Sequence, residues 1–175
     1  MGHVLTHLAR NADSHVRMIT AAEHGEVADQ YDGGVVSRNA DIEYGSVRTA
    51  RELADDLRVS IEGLEACWDA TTDVAWAGSG RSVGGPLTIA SLPFRRWREA
   101  EVHHVDLGLG YDIDRWPNDY LRIELGLLTM QWSSRRPMGL TQLPTKAMVV
   151  DDRTRLAWLL GRVDIEGLPA AGIFT

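Results

Sequence analysis

Residues 46–69, SVRTARELADDLRVSIEGLEACWD, carry the strongest periodic pattern in the chain. Their apolar side chains recur every three or four residues, at Val47, Ala50, Leu53, Leu57, Ile61, Leu64 and Trp68. Because this spacing places the apolar groups on one face of an α-helix, the stretch predicts a long amphipathic helix. The pattern remains mostly helical from residue 3 to about residue 109.

A first helix is predicted over residues 4–28, where Leu5, Leu8, Ala12, Val16 and Ile19 form a second apolar stripe. The helical pattern is already established at His3, with no capping residue before it. We therefore expect the chain to begin part-way into a domain.

Glycines interrupt the pattern in two places. Residues 31–45 contain Gly33, Gly34 and Gly45, and this segment predicts a loop. The second interruption is a glycine-rich crossover with extended pieces expected at 73–77 and 86–90. Its GSGRSVGG sequence lacks the Lys-Ser/Thr ending of a phosphate-binding loop, so we do not assign it that function. A third helix is then predicted from the N-cap Ser91 to Gly108 or Gly110.

The last third of the chain has short mixed segments between prolines. We predict a helix over 120–132, a strand over 146–150, a helix over 154–160 ended by Gly161, and a closing strand over 172–175. The expected fold class is therefore α+β, with a helical domain over residues 1–111 and a small α/β domain over residues 112–175.

Composition excludes several function classes. The 175 residues have a net charge of −7, which gives no electrostatic reason to bind nucleic acid. No apolar run is long enough to span a membrane, and the N-terminus lacks the pattern of a secretory signal. The single cysteine, Cys67, suggests a reducing, cytoplasmic location, and we interpret it as a small core residue.

Histidine spacing points to a metal site. His3 and His7 lie four residues apart in the first helix, and Glu99 and His103 have the same spacing in the third. If the two helices pack antiparallel, one histidine of the first meets the Glu/His pair of the third. This His₂Glu set suits a divalent metal with an open coordination position, as catalytic sites require. On spacing alone, the pair Glu101 and His104 remains an alternative.

Four segments resemble the mycothiol-dependent maleylpyruvate isomerase family: HVLTHLARNADSHVRMI, SRNADIEYGSVRTARELADDLRVS, RWREAEVHHVDLGLGYDIDRWP and LAWLLGR. The resemblance runs from residue 3 to about residue 162. It implies a DinB-like helical bundle that binds a divalent metal, followed by the small α/β domain. It also implies that the metal ligands are His7, Glu99 and His103. Two histidines and a glutamate are compatible with zinc, which is the metal we expect.

The resemblance implies a metal- and mycothiol-dependent isomerase of aromatic catabolism of the gentisate type, with a small dicarboxylate as its substrate. It would convert maleylpyruvate to fumarylpyruvate as a thiolate adds, the bond rotates and the thiolate leaves. Arginine suits the substrate carboxylates. Arg162 is the best match to a functional arginine of the second domain, and Arg38 is a further candidate. We expect Asp106 to orient a histidine or to end its helix.

Two alternatives stay open. The chain could be a mycothiol S-transferase that acts on another electrophile, or a non-catalytic, truncated metal-binding bundle. Members of the family normally have another helix before the first histidine segment. We therefore expect a shortened bundle with an exposed apolar seam that favours a homo-oligomer.

Overall fold

The computed structural model describes residues 1–135, 138 and 141–173. The chain divides into two compact units, of which the first is Met1–His103 and the second begins at His104. The sequence placed this division after residue 111. The first unit is built from the helices α1 (Gly2–Glu23), α2 (Gly34–Ser46), α3 (Ala50–Ala70), α4 (Asp73–Trp76) and α5 (Leu92–Asp106), the last of which ends in the second unit.

Helix α3 begins later than the periodic pattern suggested, because Thr49 caps it. The Thr49 side chain accepts from the backbone N–H of Glu52, and the Glu52 carboxylate accepts from the backbone N–H of Thr49. This capping box satisfies backbone donors that the first helical turn leaves free. Helix α1 lacks a side-chain cap at Met1, as expected, and ends at Glu23 just before Gly25, which has a φ of 71°.

The loop predicted over residues 31–45 is wrong, because most of that segment is helix α2. The two glycines that break the periodicity do not interrupt a helix but begin one: Gly33 and Gly34 both have positive φ at its start. Helix α2 packs closely on α1, since a Cβ added at Gly45 would lie 2.5 Å from Thr6 Cγ2. Helix α2 is therefore held against α1 by a close approach of the two helices. The spacing of apolar residues did not predict this helix.

A small antiparallel hairpin lies in the crossover. Strands β1 (Ser79–Ser82) and β2 (Gly85–Thr88) pair with Ser79 opposite Thr88. The extended piece predicted at 86–90 is therefore present in part, whereas the one at 73–77 is wrong, because Thr72 caps the helical turn α4 there. A 3₁₀ turn, Ile89–Ser91, then leads into α5.

The core of the first unit lies between α1, α3, the hairpin and the start of α5. Its buried side chains are Ala12, Met18, Ile19, Ala22, Leu64, Ala75, Leu87, Ile89 and Leu92. Cys67 is partly buried and packs against this cluster, as a small core residue would.

The described residues of the second unit form helices and no strand. They are the 3₁₀ turn Ile113–Arg115, α6 (Asn118–Ser133), α7 (Thr145–Met148) and α8 (Asp152–Leu159). The helices expected over 120–132 and 154–160 are thus present, and Gly161 follows α8 with a φ of 73°.

The strand predicted over 146–150 is wrong. Arg155 donates hydrogen bonds to the carbonyls of Ala147, Met148 and Val150, so these acceptors serve a compact turn instead of a sheet. Gly172 and Ile173 are not in a strand, and the rest of the predicted closing strand lies outside the described residues.

The α+β class is confirmed as a mostly helical fold with one two-stranded sheet. Within the described residues, no helix is long and apolar enough to cross a membrane.

Candidate metal centre

Two helices of the first unit bring three chemically active side chains together. His7 lies in the second turn of α1, and Glu99 and His103 lie one turn apart on α5. Because side chains four residues apart share a helix face, Glu99 and His103 point together toward α1. The helical spacing read from the sequence therefore places the pair, and the packing of α1 against α5 brings His7 to it.

The three side chains meet at one carboxylate oxygen. His7 Nε2 lies 2.8 Å from Glu99 Oε2, and His103 Nε2 lies 3.3 Å from the same oxygen. The two imidazole rings stand edge to face, with their centroids 4.7 Å apart. One ligand atom from each residue lies within 4.8 Å of the others.

The side chains are shielded from solvent but can still be reached. Their exposed fractions are 13% for His7, 27% for Glu99 and 18% for His103. Burial alone would raise the pKa of Glu99, but the hydrogen bonds from His103 and His7 outweigh it and hold that pKa well below its ordinary value. Glu99 is therefore an anion at neutral pH, as a metal ligand must be.

The donor set fits a divalent cation. Two imidazole nitrogens and one carboxylate oxygen are ligands that zinc accepts, and three protein ligands leave a position open. Ligand atoms around a tetrahedral zinc are about 3.3 Å apart when the bonds are about 2.0–2.1 Å long. The 3.3 Å between His103 Nε2 and Glu99 Oε2 matches this value, whereas the 2.8 Å between His7 Nε2 and Glu99 Oε2 is a hydrogen-bond distance.

Glu101 and His104, the alternative pair of candidate ligands, contact other residues. Glu101 accepts a hydrogen bond from Trp97 Nε1, and the His104 ring stacks on Tyr111 with a centroid distance of 3.9 Å. His3 pairs with Glu43 at the surface. These side chains do not join the group formed by His7, Glu99 and His103.

His15 is a buried residue of α1 and differs from the candidate ligands. Burial and the nearby positive charge of Arg96 lower its pKa to about 4, against the opposing effect of Glu99. Its Nδ1 atom has no hydrogen-bond partner in the described part of the chain. The imidazole therefore stays neutral at physiological pH and acts as a core residue.

Arg38 lies beside the metal centre, on helix α2 and not in a loop. Its Nη2 is 3.2 Å from His7 Nδ1, its Nη1 donates to Asn39, and its guanidinium lies 5.7 Å from the centre of the Tyr31 ring. A guanidinium can only donate, so in the metal-free chain Nδ1 of His7 accepts from Arg38, and Nε2–H donates a hydrogen bond to Glu99. The sequence suggested Arg38, but no signal pointed to Tyr31.

Arg162 forms a two-point ion pair within the second unit. Its Nε and Nη2 donate to the two carboxylate oxygens of Asp106 at 3.0 and 2.7 Å, and Nη1 donates to the Leu160 carbonyl. Asp106 is the last residue of α5, as one of the two expectations held, and its carboxylate also pairs with this arginine.

Arg96 and Asn11 are site neighbours that sequence reasoning missed. Arg96 Nη1 donates to Asn11 Oδ1 at 2.9 Å and to the Leu8 carbonyl at 2.7 Å. A hydrogen bond to a backbone carbonyl leaves no trace in the sequence. The position of Asn11, four residues after His7, was the only signal that could have placed it on the same helix face.

The chain is similar to proteins of one known family. Residues 1–108 match the family described as the mycothiol maleylpyruvate isomerase N-terminal domain. The crystal structure of the mycothiol-dependent maleylpyruvate isomerase is similar, with a TM-score of 0.80 and 23% identity, over 93% of this chain and 74% of that one. A histidine-to-alanine mutant of that isomerase is 22% identical, with the same TM-score and coverage. No curated protein matches the chain. The likeness confirms the DinB-like fold.

Proposed function

The chain belongs to the mycothiol maleylpyruvate isomerase family through its N-terminal domain, and from this premise we propose that it converts maleylpyruvate to fumarylpyruvate. The proposed cofactors are mycothiol and a divalent metal, for which we favour zinc. The observation that carries the proposal is the approach of His7 and His103 to one oxygen of Glu99. These three residues are the proposed metal ligands.

A divalent cation held by three protein ligands keeps a free position, where it would favour the thiolate form of a cofactor thiol. The reaction needs such a nucleophile, because a double bond rotates only after an addition has made it single. Cys67 is unsuited to that role. Burial raises the pKa of its thiol, which keeps the group protonated and unreactive. The nucleophile is therefore assigned to the cofactor.

The charge of the centre suits an anionic substrate. Glu99 contributes one negative charge, and the two histidines bind metal as neutral ligands. A divalent cation thus leaves a net positive charge at a partly buried position, where electrostatic attraction is stronger than in bulk water. A dicarboxylate is the class of small molecule that this charge attracts.

Arg38 is the proposed carboxylate-binding residue of the first unit. It lies on the His7 side of the centre, at 3.2 Å from that imidazole. Its planar guanidinium offers paired donors that match carboxylate geometry. The same positive charge would support the negative charge that develops when a thiolate adds to the conjugated alkene.

Arg162 is the proposed second carboxylate-binding residue, on the strength of the family resemblance. Both carboxylate oxygens of Asp106 accept from one edge of its guanidinium, formed by Nε and Nη2, which fixes the orientation of the group. Three donor positions are used by Asp106 and Leu160, so the remaining N–H groups of the guanidinium are the ones assigned to substrate.

The test is thiol-dependent turnover. The purified chain, given mycothiol and zinc, should isomerise maleylpyruvate, and Glu99→Gln should reduce the rate by more than about 100-fold because the amide removes an anionic ligand. Glu101→Gln, two residues away, is the matched control and should retain turnover. Equal rates in both variants would contradict the assignment. Turnover of an alkylating electrophile in place of maleylpyruvate would identify an S-transferase.

A further inference from the structure

A polar seam joins α1 to α5 through consecutive contacts. His7 meets Glu99 and His103, and one turn further along α1 Asn11 meets Arg96, which lies one turn earlier on α5. The residue later in α1 therefore contacts the residue earlier in α5, which is the pattern of an antiparallel pair of helices. The Arg96–Asn11 contact lies one helical turn from the His7–Glu99 contact.

Arg96 donates hydrogen bonds to two acceptors on α1. Its Nη1 donates to the Leu8 carbonyl at 2.7 Å and to Asn11 Oδ1 at 2.9 Å. Leu8 is the residue directly after His7, so one of these bonds holds the backbone next to a proposed ligand. The side chain reaches these acceptors through a partly buried position, where a hydrogen bond from a charged donor is stronger than at the surface.

The spacing of the proposed ligands depends on how α1 is aligned with α5. A slip of one residue along a helix displaces its side chains by about 1.5 Å. Metal–ligand distances tolerate only about 0.2 Å. Connections between α1 and α5 near the centre include the Glu99–His7 contact itself and the two Arg96 bonds. The Arg96 bonds do not involve a proposed ligand side chain.

We propose that Arg96 is a positioning residue for the metal centre, which sets the alignment of α1 against α5 so that His7 reaches Glu99 and His103. This inference rests on the proposed metal site and extends it to a residue that touches no metal. Arg96 acts through the Leu8 carbonyl and Asn11, and it takes no part in the reaction.

A matched control separates positioning from general stability. Arg10 is also an arginine of partial exposure that ties α1 to a neighbouring helix, since its Nη2 lies 2.8 Å from Asp56 on α3. Arg96→Met and Arg10→Met each remove one long cationic side chain that links two helices. Only Arg96→Met removes a link between the two helices that carry the proposed ligands.

The first measurement is the affinity of the full chain and of both variants for cobalt(II). Binding is monitored through the visible absorption of the bound ion. Arg96→Met should weaken binding by about 10- to 100-fold, the range found for residues that support metal ligands. Arg10→Met should leave the affinity unchanged. Asn11→Ala should weaken binding by a smaller factor, and the double variant with Arg96→Met should bind no more weakly than Arg96→Met alone. Equal affinities for Arg96→Met and Arg10→Met would overturn the proposal.

A second measurement uses the metal-free chain, so that failure of the proposed function can be told apart. The imidazole ¹⁵N and ¹H resonances of His7 and His103 report their contacts with Glu99. Arg96→Met should shift them, and Arg10→Met should not. If the wild-type chain binds no cobalt, the proposed metal site is wrong, and these shifts still decide the role of Arg96. Resonances unchanged in Arg96→Met would overturn the positioning role. If Arg96→Met does not fold, Asn11→Ala takes its place in both measurements.

Discussion

At the residue scale, Arg38 is the side chain whose proposed role can be separated from metal binding. It approaches His7 through Nδ1, the ring nitrogen that faces away from Glu99, and contributes no ligand atom to the proposed metal centre. The role that we propose for Arg38 is therefore an electrostatic contact to a substrate carboxylate.

Arg38→Gln should raise KM for the dicarboxylate by about 10- to 100-fold, because a hydrogen bond between two charged groups contributes about 1.5–3 kcal/mol. Steady-state kinetics on zinc-loaded enzyme measures this, with Arg58→Gln as the control, since Arg58 pairs with Glu62 at the surface of α3. A KM that does not change, or a loss of bound zinc, would remove the assigned role.

His15 makes stability depend on pH. Its folded-state pKa of about 4 lies below the ordinary value of 6.5, so the unfolded chain binds the proton more tightly. The stabilising effect is fully present above pH 6.5 and is lost as the pH falls from 6.5 towards 4. Arg96, Arg95 and Glu99 are the charges that act on this imidazole.

From this shift, the free energy of unfolding should fall by about 2 kcal/mol between pH 7 and pH 5. Urea titrations of the metal-free chain at the two pH values measure it. In His15→Met the part of the pH dependence that belongs to this imidazole should disappear, while the other histidines still titrate. If the two chains lose the same stability on acidification, His15 is not the buried neutral group described above.

At the element scale, the contact between α1 and α2 depends on the absence of a side chain. A Cβ at Gly45 would lie 2.5 Å from Thr6 Cγ2 and 3.0 Å from Thr6 Oγ1, and Thr6 is buried. Because neither helix can give way without losing its packing, a methyl group at this position overpacks the contact.

Gly45→Ala should therefore destabilise the fold by about 1–3 kcal/mol. Gly63→Ala is the matched control, since Gly63 lies inside α3 with nothing within 4 Å of the added Cβ. The control should stabilise the chain by up to about 1 kcal/mol, because alanine is the better helix former. Thermal or urea unfolding measures the change in the free energy of unfolding for each variant. We expect a decrease for Gly45→Ala and an increase for Gly63→Ala, and changes of the same sign would contradict the overpacked contact.

The same elements show what the sequence could and could not predict. Helix α3 was predictable because its apolar face is buried, and periodicity reports burial. Helix α2 was missed because apolar side chains such as Val36, Tyr44 and Val47 face outward or lie at its exposed end. It is held instead by a close approach at Gly45. The strand expected over 146–150 failed because the contacts of Arg155 take carbonyls that lie close in sequence but are brought together only by the turn.

The convergence of His7, Glu99 and His103 could be predicted in part. Glu99 and His103 form a pair on one helix, so spacing alone places them on one face. Whether His7 or His3 meets this pair depends on how α1 is aligned with α5. That alignment is set by packing between residues about 90 positions apart, so the local spacing of residues does not predict it. Family resemblance supplied that choice. The Arg96 contact was missed for the same reason.

At the scale of the whole molecule, the proposed ligands all belong to the first compact unit, within the residues that match the family. The second unit contributes the Arg162–Asp106 pair, whose role rests on resemblance. The proposed metal site rests on three converging side chains of the first unit, whereas the proposed substrate-binding role of Arg162 does not depend on that geometry.

Metal content of the purified chain tests the central claim most directly. Elemental analysis should find about one divalent ion per chain in the wild type and none in Glu99→Ala or His103→Ala, with Glu101→Ala retaining the ion. This result would place the metal on the three residues that converge in the first unit. A full complement of metal in both Glu99→Ala and His103→Ala, or a wild-type chain that cannot be loaded with zinc, would contradict the account.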